Sequence, residues 1–213
     1  MIVIHHLGMS QSDRVVWLME ELALPYTLQW YDRGPDMLAP PEYRKLHGAG
    51  TAPIIEDGDV VLCESAAIVE YIIQRHGKGR LGVAPAQPNY PDYLFWMTFS
   101  NSLQATFFMR MLTSQIPEAA RQGNAMVTVA KRREDNYYRL LDRRLGESDY
   151  LAGPEFTGAD VMMTFNVTSL AQFGGRPIAD LPNVQAYVKR ITARPAYVKA
   201  MAIAGPGAKR PAA

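Results

Sequence analysis

Short β-branched runs alternate with amphipathic stretches over the first third of the chain, and beyond that point only the amphipathic stretches continue. Residues 2–5, IVIH, are strand-like; Val15, Leu18, Met19 and Leu22 then come at i, i+3, i+4 and i+7, an apolar stripe on one helix face. YTLQWY at 26–31 has a second strand pattern, succeeded by a proline-punctuated loop and a short helix near 41–46. PIIED and VVLC flank Asp57-Gly58-Asp59, which predicts a hairpin because Asp-Gly supplies the positive φ of a tight turn. The helix after it carries Ile68, Tyr71, Ile72 and Ile73 and stops at Gly77. A β-α-β-α-β-β-α order makes the first strand pair parallel across a helical crossover and the last pair antiparallel, which is thioredoxin-like topology.

Residues 79–91, GRLGVAPAQPNYP, lack periodicity and predict a linker. Beyond it lie helical stripes only: Tyr137, Leu140, Leu141 and Leu145, then Val184, Tyr187, Val188 and Ile191, with Pro195 opening a last short helix. The expected organisation is α/β plus all-α: a thioredoxin-like domain over 1–78, the linker 79–91, a helical bundle over 92–204 and a flexible tail over 205–213.

Composition narrows the function classes. With 48% hydrophobic and 20% charged residues the chain is an ordinary soluble globular protein, and 22 Lys+Arg against 21 Asp+Glu leave no electrostatic footprint for nucleic acid or an acidic membrane. Residues 94–112 are the most apolar long stretch, but Ser100, Asn101, Ser102, Gln104 and Arg110 interrupt it, so a buried bundle helix is expected rather than a membrane span. One cysteine, Cys63, excludes an intrachain disulfide; with no basic, apolar leader after Met1, a reducing cytoplasmic home is expected. Cys63 closes a strand expected to be interior, where a buried, inert thiol is the ordinary outcome. His5, His6, His47 and His76 have no metal-ligand spacing, and no metal is assigned.

The chemistry concentrates where strand meets helix. At the start of ESAAI, Glu64 and Ser65 can be a simple helix cap, or can hold the two charges of an α-amino acid, with hydroxyl and backbone N–H groups for the carboxylate and Glu64 for the ammonium. Pro53 in GTAPI, if cis, would turn the backbone of Ala52 toward an extended peptide. In LGMSQSDR, Ser10 and Ser12 stand at the start of the first helix, where either could cap or could donate to a thiolate. Lowering a thiol pKa by about two units takes ~2.7 kcal/mol, within reach of one charge-assisted hydrogen bond (~1.5–3 kcal/mol) and the helix dipole (~0.3–1 kcal/mol).

HHLGMSQSDR, APPEYRKLH, APIIEDGD, ESAAI and YLAGPEFTGAD occur in this order, and together the chain from Ile2 to about Met201 resembles the glutathione transferase superfamily, closest to a serine-type bacterial and fungal branch. The resemblance implies a cis Pro53, backbone pairing of Ala52 with the cysteinyl part of glutathione, Glu64 and Ser65 on its γ-glutamyl end, and Ser10 as the active-site serine. For the glycyl carboxylate it leaves Lys45 first and His47 second. Thr157 and Asp160 match a structural capping box, and Asn101 is expected to be a solvated or interhelical polar residue. Phe107, Phe108 and Met111 are candidates for an acceptor pocket as well as for core; Phe108 is the choice. The first loop has no cysteine, which disfavours thiol–disulfide exchange. The resemblance therefore implies a glutathione-dependent enzyme, with glutathione as co-substrate and a small hydrophobic electrophile or peroxide as partner, working as a homodimer in detoxification. The alternatives are a binding module without turnover and a specialised dehalogenase, isomerase or ether-cleaving enzyme.

Overall fold

The structure, a computed structural model, describes residues 1–211 and comprises two compact units: Met1–Tyr90 joined by the segment from Arg190 onward, and Pro91–Lys189. In the first unit β1 (Ile2–Leu7), β2 (Tyr26–Tyr31), β3 (Ile54–Asp57) and β4 (Val60–Cys63) form a sheet of order β2-β1-β3-β4. β1 runs parallel to β2 and antiparallel to β3, and β3 pairs antiparallel with β4. The hairpin turns at Gly58, whose φ of +62° is one that side chains resist. α1 (Asp13–Glu21), the short α2 (Pro41–Arg44) and α3 (Ser65–Arg75) complete the thioredoxin-like arrangement. Ile4, Val15, Leu18, Ile68 and Ile72 are wholly buried, each contributing about 1.5–3 kcal/mol of burial.

Two expectations change in this unit. β4 is an edge strand, yet Cys63 at its end is buried, because it packs with Leu7, Tyr43 and Ile54; its thiol donates weakly to the Thr51 carbonyl at 3.5 Å. The last helix, α8 (Pro195–Ala204), groups with the first unit, although the sequence pattern assigns it to the helical domain. It packs on α1: Tyr197 meets Trp17 edge to face at 5.1 Å, Arg194 donates to both Glu21 oxygens at 2.6 and 2.7 Å, and Lys199 pairs with Glu20 at 2.6 Å. Of the expected tail, Ala208 N–H donates to the Gly205 carbonyl and Arg210 pairs with Asp32, while 212 and 213 lie outside the described residues.

The second unit holds α4, which begins at the boundary (Tyr90–Ser114), α5 (Ala125–Glu147), α6 (Gly158–Val167) and α7, which runs past its end (Pro182–Thr192). α6 is buried along its whole length and carries the expected capping box of Thr157 and Asp160. Asp160 also accepts from Leu151 N–H and the Tyr187 hydroxyl, both at 3.0 Å; burial nevertheless pushes its pKa up to about 6. The buried stripe of α5 runs through Ala130, Glu134, Tyr138, Leu141 and Leu145, so Tyr138 faces inward and Tyr137 is half-buried. α4 is buried on one face only. Its apolar residues surround the axis, so Trp96, Phe99, Leu103 and Phe107 enter the core while Leu94, Phe95, Phe108, Met111 and Leu112 remain exposed. Among the described residues, no helix is long and apolar enough to cross a membrane.

Candidate functional site

The loop between β1 and α1 is shaped by hydroxyl chemistry. Ser12 occupies the N-cap position of α1 without making a side-chain cap, and the Ser10 hydroxyl donates to the Leu7 carbonyl at 2.6 Å while its oxygen accepts from Ser12 N–H at 3.3 Å. Ser10 Oγ lies 2.7 Å from Ser12 Oγ, which lies 2.7 Å from His6 Nδ1. Both serines are buried, Ser12 wholly and Ser10 with 8% of its surface exposed. Burial holds His6 at a pKa of about 4, neutral at physiological pH, with its ring 4.4 Å from Trp30. Arg33 braces the loop from outside, donating to the carbonyls of Gly8 (2.9 Å) and Met9 (3.0 Å). Met9, with φ of 55°, carries the turn.

The junction between β4 and α3 answers the cap question for Glu64 and Ser65. Glu64 occupies the N-cap position but makes no side-chain cap, is exposed, and sits at φ 76°, ψ 115°, a conformation costing a non-glycine residue roughly 1–3 kcal/mol. Ser65, buried, donates to Gln11 Oε1 at 3.3 Å, which ties the start of α3 to the Ser10 loop. Ile54 faces His5 on one side and Cys63 on the other, so Ala52 and Pro53, just before it, stand at the sheet end from which both the Ser10 loop and Glu64 emerge. The Ala52–Pro53 bond is cis. The first unit thus gathers Ser10, Ala52, Pro53, Glu64 and Ser65 at one end of its sheet.

Lys45 is exposed at the C-terminus of α2, while the His47 ring accepts from Ala49 N–H at 3.1 Å. In the second unit Phe107 packs with Phe165 and Leu170, whereas Phe108 is 51% exposed, and Asn101 is exposed. Gln11, His6 and Arg33 are the participants that sequence reasoning overlooks. Gln11 and Arg33 have no local signature, since their partners lie far along the chain, and His6 has only its hydrophobic setting in β1 to draw notice.

The glutathione S-transferase N-terminal domain family matches residues 8–75, and the glutathione S-transferase C-terminal domain family matches residues 95–195. The chain belongs to the glutathione S-transferase family. Glutathione S-transferase 3 of Schizosaccharomyces pombe is 31% identical over 207 residues, covering 92% of this chain and 85% of that protein. A glutathione S-transferase from Actinobacillus pleuropneumoniae superposes with a TM-score of 0.87 at 29% identity, covering 97% of this chain and 95% of its own. A sphingomonad glutathione S-transferase solved with glutathione shares the transferase fold at a TM-score of 0.75 and 20% identity, covering 95% of this chain and 98% of its own.

Proposed function

We propose that this glutathione transferase is of the serine type, and that it uses Ser10 to hold the glutathione thiol as a thiolate for attack on small hydrophobic electrophiles or peroxides. The observation carrying the proposal is that Glu64, exposed at φ 76° and making no helix cap, stands at the same end of the sheet as Ser10, Ala52 and Ser65. Glu64, in its strained and exposed conformation, accepts the γ-glutamyl ammonium. Ser65 and the free N–H groups of α3 receive the adjacent carboxylate, where the helix dipole favours a negative charge. Ala52 pairs by backbone with the cysteinyl residue, and Lys45 neutralises the glycyl carboxylate.

That placement leaves the thiol beside Ser10 at the opening of α1. The Ser10 hydroxyl donates to sulfur, favouring the anion, and the thiol proton passes to solvent. With an aryl halide, a sulfur–carbon bond forms and halide departs; with a hydroperoxide, sulfur takes one oxygen, the alcohol leaves, and a second glutathione forms the disulfide and releases water. The protein supplies orientation and electrostatics for either reaction. Phe108, large and exposed, is the residue proposed for the acceptor side. A reduced thiol co-substrate and a single buried cysteine fit work in a reducing cytoplasm.

Retention on immobilised glutathione, with turnover then measured across aryl halides, peroxides and epoxides, tests the proposal. Retention with turnover is expected. Retention without turnover would make the protein a binding module, and no retention would overturn the glutathione site altogether.

A further inference from the structure

We infer that His6 and Ser12 are positioning residues that hold Ser10 as a hydrogen-bond donor through a buried chain of hydrogen bonds. The inference rests on Ser10 being the thiolate donor. Counting protons along the chain through its short contacts gives one arrangement, the only other acceptor near the Ser12 hydroxyl among the described residues being the Leu7 carbonyl at a longer 3.5 Å. A carbonyl oxygen can only accept, so at 2.6 Å from the Leu7 carbonyl Ser10 must be the donor. Its one proton is then used, and in the 2.7 Å contact with Ser12 it can only accept. Ser12 therefore spends its own proton on Ser10 and can only accept in its 2.7 Å contact with His6 Nδ1. His6 must carry its proton on Nδ1.

The rest of the ring agrees with this. Nε2 is buried and has no hydrogen-bond partner among the described residues, and orphaned buried N–H groups are rarer than under-satisfied acceptors. Burial lowers the imidazole's basicity, so the ring supplies one N–H and no charge. Ser12 N–H adds a second donor to Ser10 Oγ at 3.3 Å. With two donors aimed at its oxygen, Ser10 has its proton confined to the remaining directions: toward the Leu7 carbonyl, and, when a thiolate stands at the mouth of the loop, toward sulfur. Ser10 is thus built as a donor and not as a base. Because donors in series polarise one another, Ser12 and His6 strengthen the bond that Ser10 gives.

The role differs from a packing role in what it predicts. Ser12→Ala removes the donor to Ser10 and should lower kcat toward 1-chloro-2,4-dinitrobenzene about 2- to 5-fold near neutral pH, with the pKa of bound glutathione rising by about 0.3–0.7 and KM for glutathione unchanged. His6→Leu should do the same. His6→Asn, whose amide N–H reaches the place of Nδ1–H, should restore both quantities. Wild-type pKa values in Ser12→Ala and His6→Leu would overturn the relay. A measurement on the unmutated protein stands apart from folding of the variants: two-bond nitrogen–proton correlation on histidine-labelled, glutathione-free protein should show His6 protonated at Nδ1 alone. Protonation at Nε2 in a protein that turns over glutathione overturns the relay and leaves the functional proposal intact. A protein that neither binds nor turns over glutathione defeats that proposal, and the relay's catalytic role falls with it.

Discussion

Ser10 carries the chemical distinction between this site and a passive one. If its hydroxyl stabilises the thiolate, Ser10→Ala removes a bond made only to the charged form, worth ~1.5–3 kcal/mol, and the bound thiol's pKa should rise by about one to two units. Turnover near neutral pH should fall by at most roughly 10- to 150-fold while glutathione affinity holds, read from a pH–rate profile and calorimetry. Glu64→Gln should instead weaken glutathione binding by ~1.5–3 kcal/mol in the same calorimeter, because it loses a charge-assisted bond. Buried His6 makes a prediction about acid stability. Its folded pKa of about 4 lies below the ordinary 6.5, so between those values the unfolded chain holds the extra proton. Stability rises with pH across that window and is lost as pH falls through it, a contribution of ~3 kcal/mol at most. Asp160, raised to about 6 from 3.8, acts with the opposite sign over an overlapping window, so the comparison must be differential. The stability advantage of the parent over His6→Asn should shrink by roughly 2 kcal/mol between about pH 7 and about pH 5 in urea titrations.

The elements of the first unit arise from patterns that local physics makes legible. Tyr26–Tyr31 occupies the predicted strand, and Asp57-Gly58-Asp59 turns where Asp-Gly predicts. What escapes local reading is anything decided by a distant partner. α8 has an apolar surface that fits a bundle; Trp17, Glu20 and Glu21, far upstream, help draw it to α1. β4 becomes an edge because pairing order, not strand composition, decides which strand is last. The first loop shows the same limit: two serines at a helix start predict caps and donors equally, until the Leu7 carbonyl and His6 claim their hydroxyls. α6 is the opposite case, a local capping box legible as such that also receives Tyr187 from α7. Asp160→Ala strands those donors in a buried place and should cost about 3 kcal/mol of stability, seen as a lower urea midpoint with an unchanged slope.

At the scale of the whole molecule, α4 leaves the large apolar side chains of Leu94, Phe95 and Leu112 exposed. We propose a homodimer, and sedimentation at micromolar concentration should give a species of twice the 23.8 kDa chain mass; a single monomeric species counts against it. Cys63 has a practical consequence for every thiol measurement on such a protein. Packed with Leu7, Tyr43 and Ile54, the sole thiol of the chain is shielded from reagents while the first unit stays closed. Absorbance of the bound glutathione thiolate can therefore be titrated in the native protein with little background from the protein's own sulfur. Conversely, alkylation of Cys63 in the absence of glutathione becomes a clock for opening of that unit, its rate tracking the population of the opened form when reclosing is fast.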